Sequence, residues 1–331
     1  MSKRVYGDVK QERSTFMNIN PPLVSVCLIT YNHEKFIRRA IESVLKQRVN
    51  FKFEIVLAED DSSDRTREIC EVLAGENPDL IKLKLRDRAD VIYKYGKPTG
   101  ISNIRKTLED CEGKYIAMLD GDDYWTSIHK LQFQFDLMES QRKYSAVFHD
   151  THFVGANDVL IIEEDLQEAE SSEEYYLDKV LASGSVAPTA ALFFRRELIF
   201  PLPKWYTENP SDWKIEIMLA MNAPLLKIKD KLWSAYTIHE GGIWSSETIE
   251  RQLKYRLDQV NDLYAEPAFQ KQKDSLDRYK AKSYEFGYQK LMDSKKIVAF
   301  RYLWLFVRLS NLSTWIKIKH LIKTSFRILI R

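Results

Sequence analysis

Tyr115-Ile116-Ala117-Met118-Leu119-Asp120-Gly121-Asp122-Asp123 is the stretch that decides the fold. Five mostly apolar residues, enough for a strand and too few for a helix, run directly into three carboxylates interrupted by a glycine. A buried strand ending on polar residues belongs to a parallel sheet, whose ligands gather beyond the carboxyl ends of its strands. Carboxylates two apart at such an end can converge on one hard cation, and Gly121 lets the backbone turn tightly against a ligand. The same residues can equally form a solvated acidic turn that caps the next helix. An EF-hand loop is excluded, because Tyr124 and Trp125 stand where a ligand and the glycine are required.

Towards the N-terminus the same alternation repeats. Residues 23–30 (LVSVCLIT) read as a buried strand, and Asn32 is placed to cap a helix whose apolar face is Phe36, Ile37, Ala40, Ile41, Val44 and Leu45. Residues 53–58 form a second run ending in Glu59-Asp60-Asp61; Asp64 is placed to cap the following helix, and Gly75 to stop it. A short strand at 81–85 and a helix from Ser102 lead into the opening stretch. Towards the C-terminus come a helix at about 128–141, a strand at 145–149, an acidic stretch from Glu163 to Glu174 read as a solvated loop, an apolar run from Thr189 to Phe194 and a helix over 212–221. Gly241-Gly242 marks a loop, and from about 247 the pattern is helical. The prediction is an α/β fold: a three-layer α/β/α sandwich with a mostly parallel central sheet, plus a C-terminal helical extension. Three strand ends carry Thr30-Tyr31-Asn32, Glu59-Asp60-Asp61 and Asp120-Gly121-Asp122-Asp123, and that convergence marks the site.

The chain has 331 residues, with 44% hydrophobic and 12% aromatic side chains, which suffices for one large domain and an appendage. Fifty basic against 48 acidic residues give +2, which argues against a general nucleic-acid binder. After Asp293 there are nine Lys and Arg and no acid, so the rest of the chain stands at −7. The three cysteines, Cys27, Cys70 and Cys111, form no CxxC pair, and neither a disulfide framework nor a zinc ribbon is indicated. His149 and His152 lack a second ligand pair at metal-site spacing and read as structural. Residues 1–17 lack the apolar core of a signal peptide, and no run approaches the ~18–20 apolar residues of a membrane span. A cytoplasmic location is therefore expected. Within 318–331, Ile318, Ile322, Phe326 and Ile330 form one row at four-residue steps and Lys319, Lys323, Arg327 and Arg331 another. Such a basic amphipathic segment suits an anionic membrane surface on the cytoplasmic side; packing on the domain or on a second copy of the chain is the alternative.

The blocks Val24–Asn32, Glu59–Thr66 and Gly113–Trp125, followed by Phe194-Arg195-Arg196, Ser211-Asp212-Trp213 and Tyr236–Ser245, resemble in their order the family 2 glycosyltransferases of the GT-A fold. The resemblance covers about residues 23–246. It implies a Rossmann-like domain there, with residues 23–125 as nucleotide-binding half and 126–246 as acceptor half, between an N-terminal tail (1–22) and a helical region (247–331). It also implies inverting transfer of a sugar from a nucleoside diphosphate sugar, UDP being the commonest carrier, to a glycan or lipid-linked acceptor, assisted by Mn²⁺ or Mg²⁺. On that resemblance Tyr31 would stack on the base, Asp60 would accept from its imide N–H, Thr30 and Asn32 would line the nucleotide, and Asn103 would either do so or be an ordinary first-turn helix residue. Arg105 would be a phosphate partner or a plain surface residue. Asp120 would hold ribose or support the metal; Asp122 would ligate it, with Asp123 in support, and His239 would ligate it or contact the diphosphate. Asp212 would be the catalytic base, although capping the helix that follows is its plain local alternative. Trp213 would pack under a sugar, and Trp244 would latch the Gly241-Gly242 loop over the donor.

Three departures stand out. Glu59 replaces the usual Asp, Asp61 the common Gly, and Thr237 an Arg between the Tyr and the His. The missing cation at Thr237 favours an alternative reading, a catalytically degenerate nucleotide-sugar-binding or scaffolding protein in a membrane-associated polysaccharide assembly complex. A nucleotidyltransferase is disfavoured, because Thr30-Tyr31-Asn32-His33-Glu34 stands where its Gly-rich basic loop would be.

Overall fold

A computed structural model describes residues 21–89, 91–94, 97–158, 160, 171–242, 244, 247–292 and 294–309. In chain order the strands are β1 (Val24–Thr30), β2 (Phe53–Glu59), β3 (Ile81–Leu85), β4 (Tyr93–Lys94), β5 (Lys97–Pro98), β6 (Tyr115–Asp120), β7 (Tyr124–Trp125), β8 (Ala146–His149), β9 (His152–Gly155), β10 (Ser172–Tyr175), β11 (Phe193–Arg195), β12 (Leu225–Ile228) and β13 (Ser234–Ile238). The helices are α1 (Ile37–Leu45), α2 (Thr66–Glu76), α3 (Ile101–Asp110), α4 (Lys130–Ser140), α5 (Leu177–Ser183), α6 (Lys204–Thr207), α7 (Asp212–Asn222), α8 (Ile249–Ala265), α9 (Lys273–Leu291) and α10 (Lys296–Leu309).

Eight strands form the central sheet in the order β10-β12-β8-β11-β6-β1-β2-β3. Only β10 and β11 oppose the common direction, being antiparallel to β12 and to β6 and β8. β1 is buried along its length because both faces are covered. Val24, Val26 and Leu28 point into a core shared with α1 and α2, and Cys27 into one shared with α3 and α7. Register brings the strand ends together: Thr30 lies opposite Glu59, and Ile29 opposite Asp120. A second sheet, β7-β13-β9, sits beside these ends and carries His239 just beyond β13. Arg195 is structural: its guanidinium, 9% exposed, donates to the Tyr144 and Met138 carbonyls and the Tyr115 hydroxyl, fastening β11 to β6 and α4. The three cysteines are free and buried, and among the described residues no helix is long and apolar enough to cross a membrane.

Several local expectations are corrected. Asn32 does not cap α1; it turns the chain at φ 54°, and its side-chain oxygen accepts from Ser63 N–H at 2.9 Å. Asn is the non-glycine residue best suited to that backbone region. Asp64 accepts from Thr66 N–H at 2.9 Å, as a capping side chain would, though α2 begins at Thr66 itself. Gly75 lies inside α2, which continues to Glu76. The acidic stretch ends in an edge strand, β10, where Glu174 accepts from Lys143 and the Tyr144 hydroxyl, each at 2.8 Å. Residues 161–170 and the rows over 318–331 lie outside the described residues.

Candidate active site

The turn after β6 is forced close to the end of β1. Gly121 N–H donates to the Ile29 carbonyl at 2.8 Å, so residue 121 has no room for a side chain. This approach presents Asp122 to two imidazoles. His239 Nε2 lies 3.0 Å from Asp122 Oδ2, and His33 Nε2 lies 3.7 Å from the same oxygen. Potential ligand atoms of His33, Asp122 and His239 all fall within 4.8 Å of one another. Phe36 backs His239 at 4.6 Å between ring centroids, and Thr30 Oγ1 stands 3.3 Å from His33 Nδ1, leaving Nε2 towards the cluster. Burial pushes the His33 imidazole below its ordinary pKa, keeping it neutral as a metal ligand must be. Burial opposes ionisation of Asp122, but the hydrogen bond with His239 and the neighbouring imidazoles outweigh it and hold its carboxyl below the usual range. Asp123 accepts from Thr237 N–H at 2.9 Å and so pins β13 to the acidic turn rather than facing the cluster.

A second acidic centre lies beside the first. Burial raises the Asp120 carboxyl well above its ordinary value, and Asp122 and Asp212 add to the shift by their charge. Asp212 opens α7, yet the cap of that helix is Ser211, whose hydroxyl accepts from Lys214 N–H. The local role that competed for Asp212 is thus taken by its neighbour. Asp212 Oδ2 instead accepts from the Thr189 hydroxyl at 3.1 Å, and burial raises its pKa against that hydrogen bond. Thr189 is held from below. Glu216, one turn along α7, accepts from Ser185 Oγ at 2.6 Å, Val186 N–H at 2.8 Å and Ala187 N–H at 3.2 Å. Burial still pushes Glu216 up to about 8.

On the other side, Asp60 and Asn103 share a cleft with Arg86, Arg88, Ser102 and Lys106. Arg88 lies 4.0 Å over the Tyr31 ring and 3.2 Å from Asp60 Oδ2, so one guanidinium occupies the place expected for a base between them. Burial raises Asp60 to about 6, with Arg88 opposing. Asn103 is 2% exposed and donates to the Ala58 carbonyl at 3.1 Å, a structural tie at the cleft wall. Arg105 sits half-buried on α3.

The departures acquire physical causes. Glu59, fully buried, reaches Arg67 Nε at 2.5 Å and Ser62 N–H at 2.6 Å. Asp61 stands at φ 60°, a conformation that favours glycine, with Arg67 3.4 Å from its carboxylate. Thr237 is not without a cation: Arg39, from α1, donates to Thr237 Oγ1 at 3.2 Å while lying 4.0 Å over the Tyr124 ring. Trp213 is corrected. It is 4% exposed, lies tilted against Tyr279 at 4.4 Å between ring centroids and donates to the Val180 carbonyl, so it anchors α7 in the core and has no face for a sugar. Trp244 rests edge-on against Tyr255 of α8 at 5.8 Å. His149 is fully buried with Nδ1 against the Asp150 carbonyl, a structural histidine as expected. Sequence reasoning missed His33, Thr189, Arg39 and Arg88. His33 alone carried a signal, standing directly after a polar strand end.

The sequence profile of the family described as Glycosyl transferase family 2 matches residues 25–199. The chain belongs to glycosyl transferase family 2. An uncharacterised protein of Mycobacterium tuberculosis is 25% identical over 232 residues, 69% of this chain and 62% of its own length. An uncharacterised glycosyltransferase of a Nostoc species is 29% identical over 195 residues, covering 58% of this chain and 56% of its own. A UDP-Glc:α-D-GlcNAc-diphosphoundecaprenol β-1,3-glucosyltransferase, WfaP of Escherichia coli, is 30% identical over 136 residues, 40% of this chain and 49% of its own. The chain thus matches less than two thirds of the length of these relatives. Among solved structures, residues 1–349 of S. aureus TarS in complex with UDP-GlcNAc align at TM-score 0.58 and 19% identity over 86% of this chain and 81% of that fragment. A Pyrobaculum calidifontis mannosyltransferase with GDP-Man and Mn²⁺ aligns at 0.53 and 16%, over 93% and 87%. This family 2 member therefore has the GT-A fold: a mostly parallel α/β/α sandwich followed by C-terminal helices.

Proposed function

We propose that this chain transfers a sugar, with inversion, from a UDP-sugar to a hydroxyl of a glycan or lipid-linked acceptor in surface-polysaccharide assembly. The observation that carries the reading is the placement, at one end of the sheet, of the His33–Asp122–His239 cluster and of Asp212, with Asp120 under the charge of both. Two imidazoles and a carboxylate suit Mn²⁺ better than Mg²⁺. A divalent ion held there would neutralise the charge of the departing diphosphate. Asp212 takes the acceptor proton as the acceptor oxygen forms its bond to the sugar and the diphosphate leaves. Its raised pKa makes it a stronger base than an exposed Asp, and Thr189 fixes the carboxylate plane. Tyr31, Asp60, Asn103 and the cationic cleft beside them receive the nucleotide, with Arg88 displaced from Tyr31 as the base enters. Arg39 beside Thr237 supports this reading over that of a degenerate protein.

The C-terminal helices would place the enzyme on the cytoplasmic face of the membrane. α10 packs Ala299, Leu303 and Phe306 inward and leaves Ile297, Phe300 and Trp304 exposed at helical spacing, in the segment that carries no acidic residue.

The test is binding of UDP-, GDP- and dTDP-sugars with and without Mn²⁺, on wild type and Asp122→Ala. Metal-dependent binding of a UDP-sugar that Asp122→Ala abolishes supports the reading. Binding of no nucleotide sugar, or binding indifferent to Mn²⁺ and to Asp122, removes it.

A further inference from the structure

Resting on that transferase reading, we infer that the open cavity between the β4–β5 hairpin, residues 208–209 and α8 is a subsite for a neutral glycosyl unit of the acceptor. The cavity measures about 410 Å³ and is lined by Tyr93, Glu208, Asn209, Tyr255, Asp258 and Gln259, with Ile92 at its edge. Its size falls in the range of small-ligand pockets, about 300–1,000 Å³.

Its position ties it to both halves of the chemistry. Residues 208–209 lead into Ser211 and Asp212, and the Ser211 hydroxyl that caps α7 also donates to Gln259 Oε1 at 2.8 Å. One hydrogen bond therefore separates the cavity wall from the segment bearing the base. On the opposite wall Tyr255 meets Trp244, from the loop that follows His239. The same α8 is held to that loop by Gln252, whose amide donates to the Trp244 carbonyl at 2.9 Å.

The lining chemistry selects the ligand. Tyr93, 65% exposed on a two-residue strand, and Tyr255 offer aromatic faces to the C–H side of a sugar ring. Two carboxylates accept from hydroxyls, and two amides contribute what their bonds to Asp262 (from Asn209 Nδ2) and Ser211 (to Gln259 Oε1) leave over. No Lys or Arg lines the cavity among the described residues, whereas the cleft at Asp60 is lined by Arg86, Arg88 and Lys106. Among the described residues the second lining thus brings carboxylates and no cation, which suits a neutral glycosyl unit better than a phosphate-bearing one. Glu208 pairs with Lys204 at 3.3 Å, but both side chains are largely exposed, and such a pair does little to cancel the field.

The test uses the full chain without nucleotide, titrated by saturation-transfer NMR with methyl β-cellobioside as the neutral probe and glycerol 3-phosphate as the anionic one. The expected result is saturable binding of the glycoside, weakened about tenfold or more by Tyr93→Ala and by Tyr255→Ala, with UDP binding unchanged in both. Tyr93 is exposed enough that its substitution does not threaten folding. Absence of saturable glycoside binding, equal affinity in Tyr93→Ala, or binding of glycerol 3-phosphate as tight as that of the glycoside would overturn the inference. Glycoside binding intact in a protein that binds no nucleotide sugar would uphold the subsite while removing the transferase reading.

Discussion

Replacing Gly121 by alanine adds one carbon and is expected to disturb the His33–Asp122–His239 cluster proposed to hold the metal. A Cβ at 121 would lie 2.5 Å from Thr30 Oγ1, 2.6 Å from Thr30 Cβ and 3.0 Å from His33 Nδ1. Comfortable carbon contacts are about 3.5–4.0 Å, so Thr30 or the turn must retreat by about 1 Å. Thr30 is the last residue of β1, 3% exposed and paired in register with Glu59, and has little freedom to yield. Overpacking of this kind costs ~1–3 kcal/mol. Thr30 also orients His33, and loss of an orienting partner typically lowers metal affinity ~10–100-fold. Calorimetric titration with Mn²⁺ and thermal denaturation should therefore show both a lower melting temperature and weakened binding. Gly75→Ala is the control: nothing lies within 4 Å of its Cβ and it is inside α2, so it should gain ~0.5–1 kcal/mol and leave Mn²⁺ binding untouched. A Gly121→Ala protein that binds Mn²⁺ as wild type does would refute the reasoning.

Nucleotide affinity should fall about tenfold per pH unit as pH drops below about 6, where Asp60 takes up a proton and ceases to be a charged acceptor; Asp60→Asn should flatten the profile in a titration of UDP binding. Glu216→Gln sets an amide N–H₂ against one of three donors, so chemical denaturation should report a loss of ~1–3 kcal/mol. Because Glu216 holds its proton up to about 8 in the fold but not when unfolded, wild-type stability should decline as pH rises from about 4.5 to 8, and more shallowly in Glu216→Gln. At Asp61 the glycine variant should be more stable than the alanine variant by ~1 kcal/mol, read from paired melts, since φ is 60° there. Glutamate at both Ile297 and Trp304 should cut sedimentation with anionic vesicles by about tenfold or more; unchanged sedimentation would remove the membrane role of α10.

The sheet was legible because β1, β2 and β6 are buried on both faces, which leaves apolar runs broken only by Ser25 and Glu54, and each ends abruptly on polar residues. Asp122 follows from its position just beyond β6, whereas His239 and Asp212 were indicated by the resemblance of their blocks to the family 2 glycosyltransferases. Trp213 misled for the same reason that made the strands readable. All of Trp213 to Ala220 is buried, so α7 has no polar stripe by which sequence could tell which way the indole points. His33 and Thr189 depend on close approaches with no local signature: a left-handed turn at Asn32 swings one in, and a segment held by Glu216 presents the other. The edge strand β10 was hidden by its acidic composition, which Lys143 and Tyr144 neutralise across the sheet.

The Arg39–Thr237 contact bears on how such chains are counted as active or lapsed. A positive charge has an address in space, and two different elements can deliver it there, one from a strand and the other from a helix nearly two hundred positions earlier. Inspection of residue 237 alone would miss Arg39, which reaches the same point from α1. Following where a positive charge sits, rather than which residue stands at one position, finds it here at Arg39, near the start of the first helix.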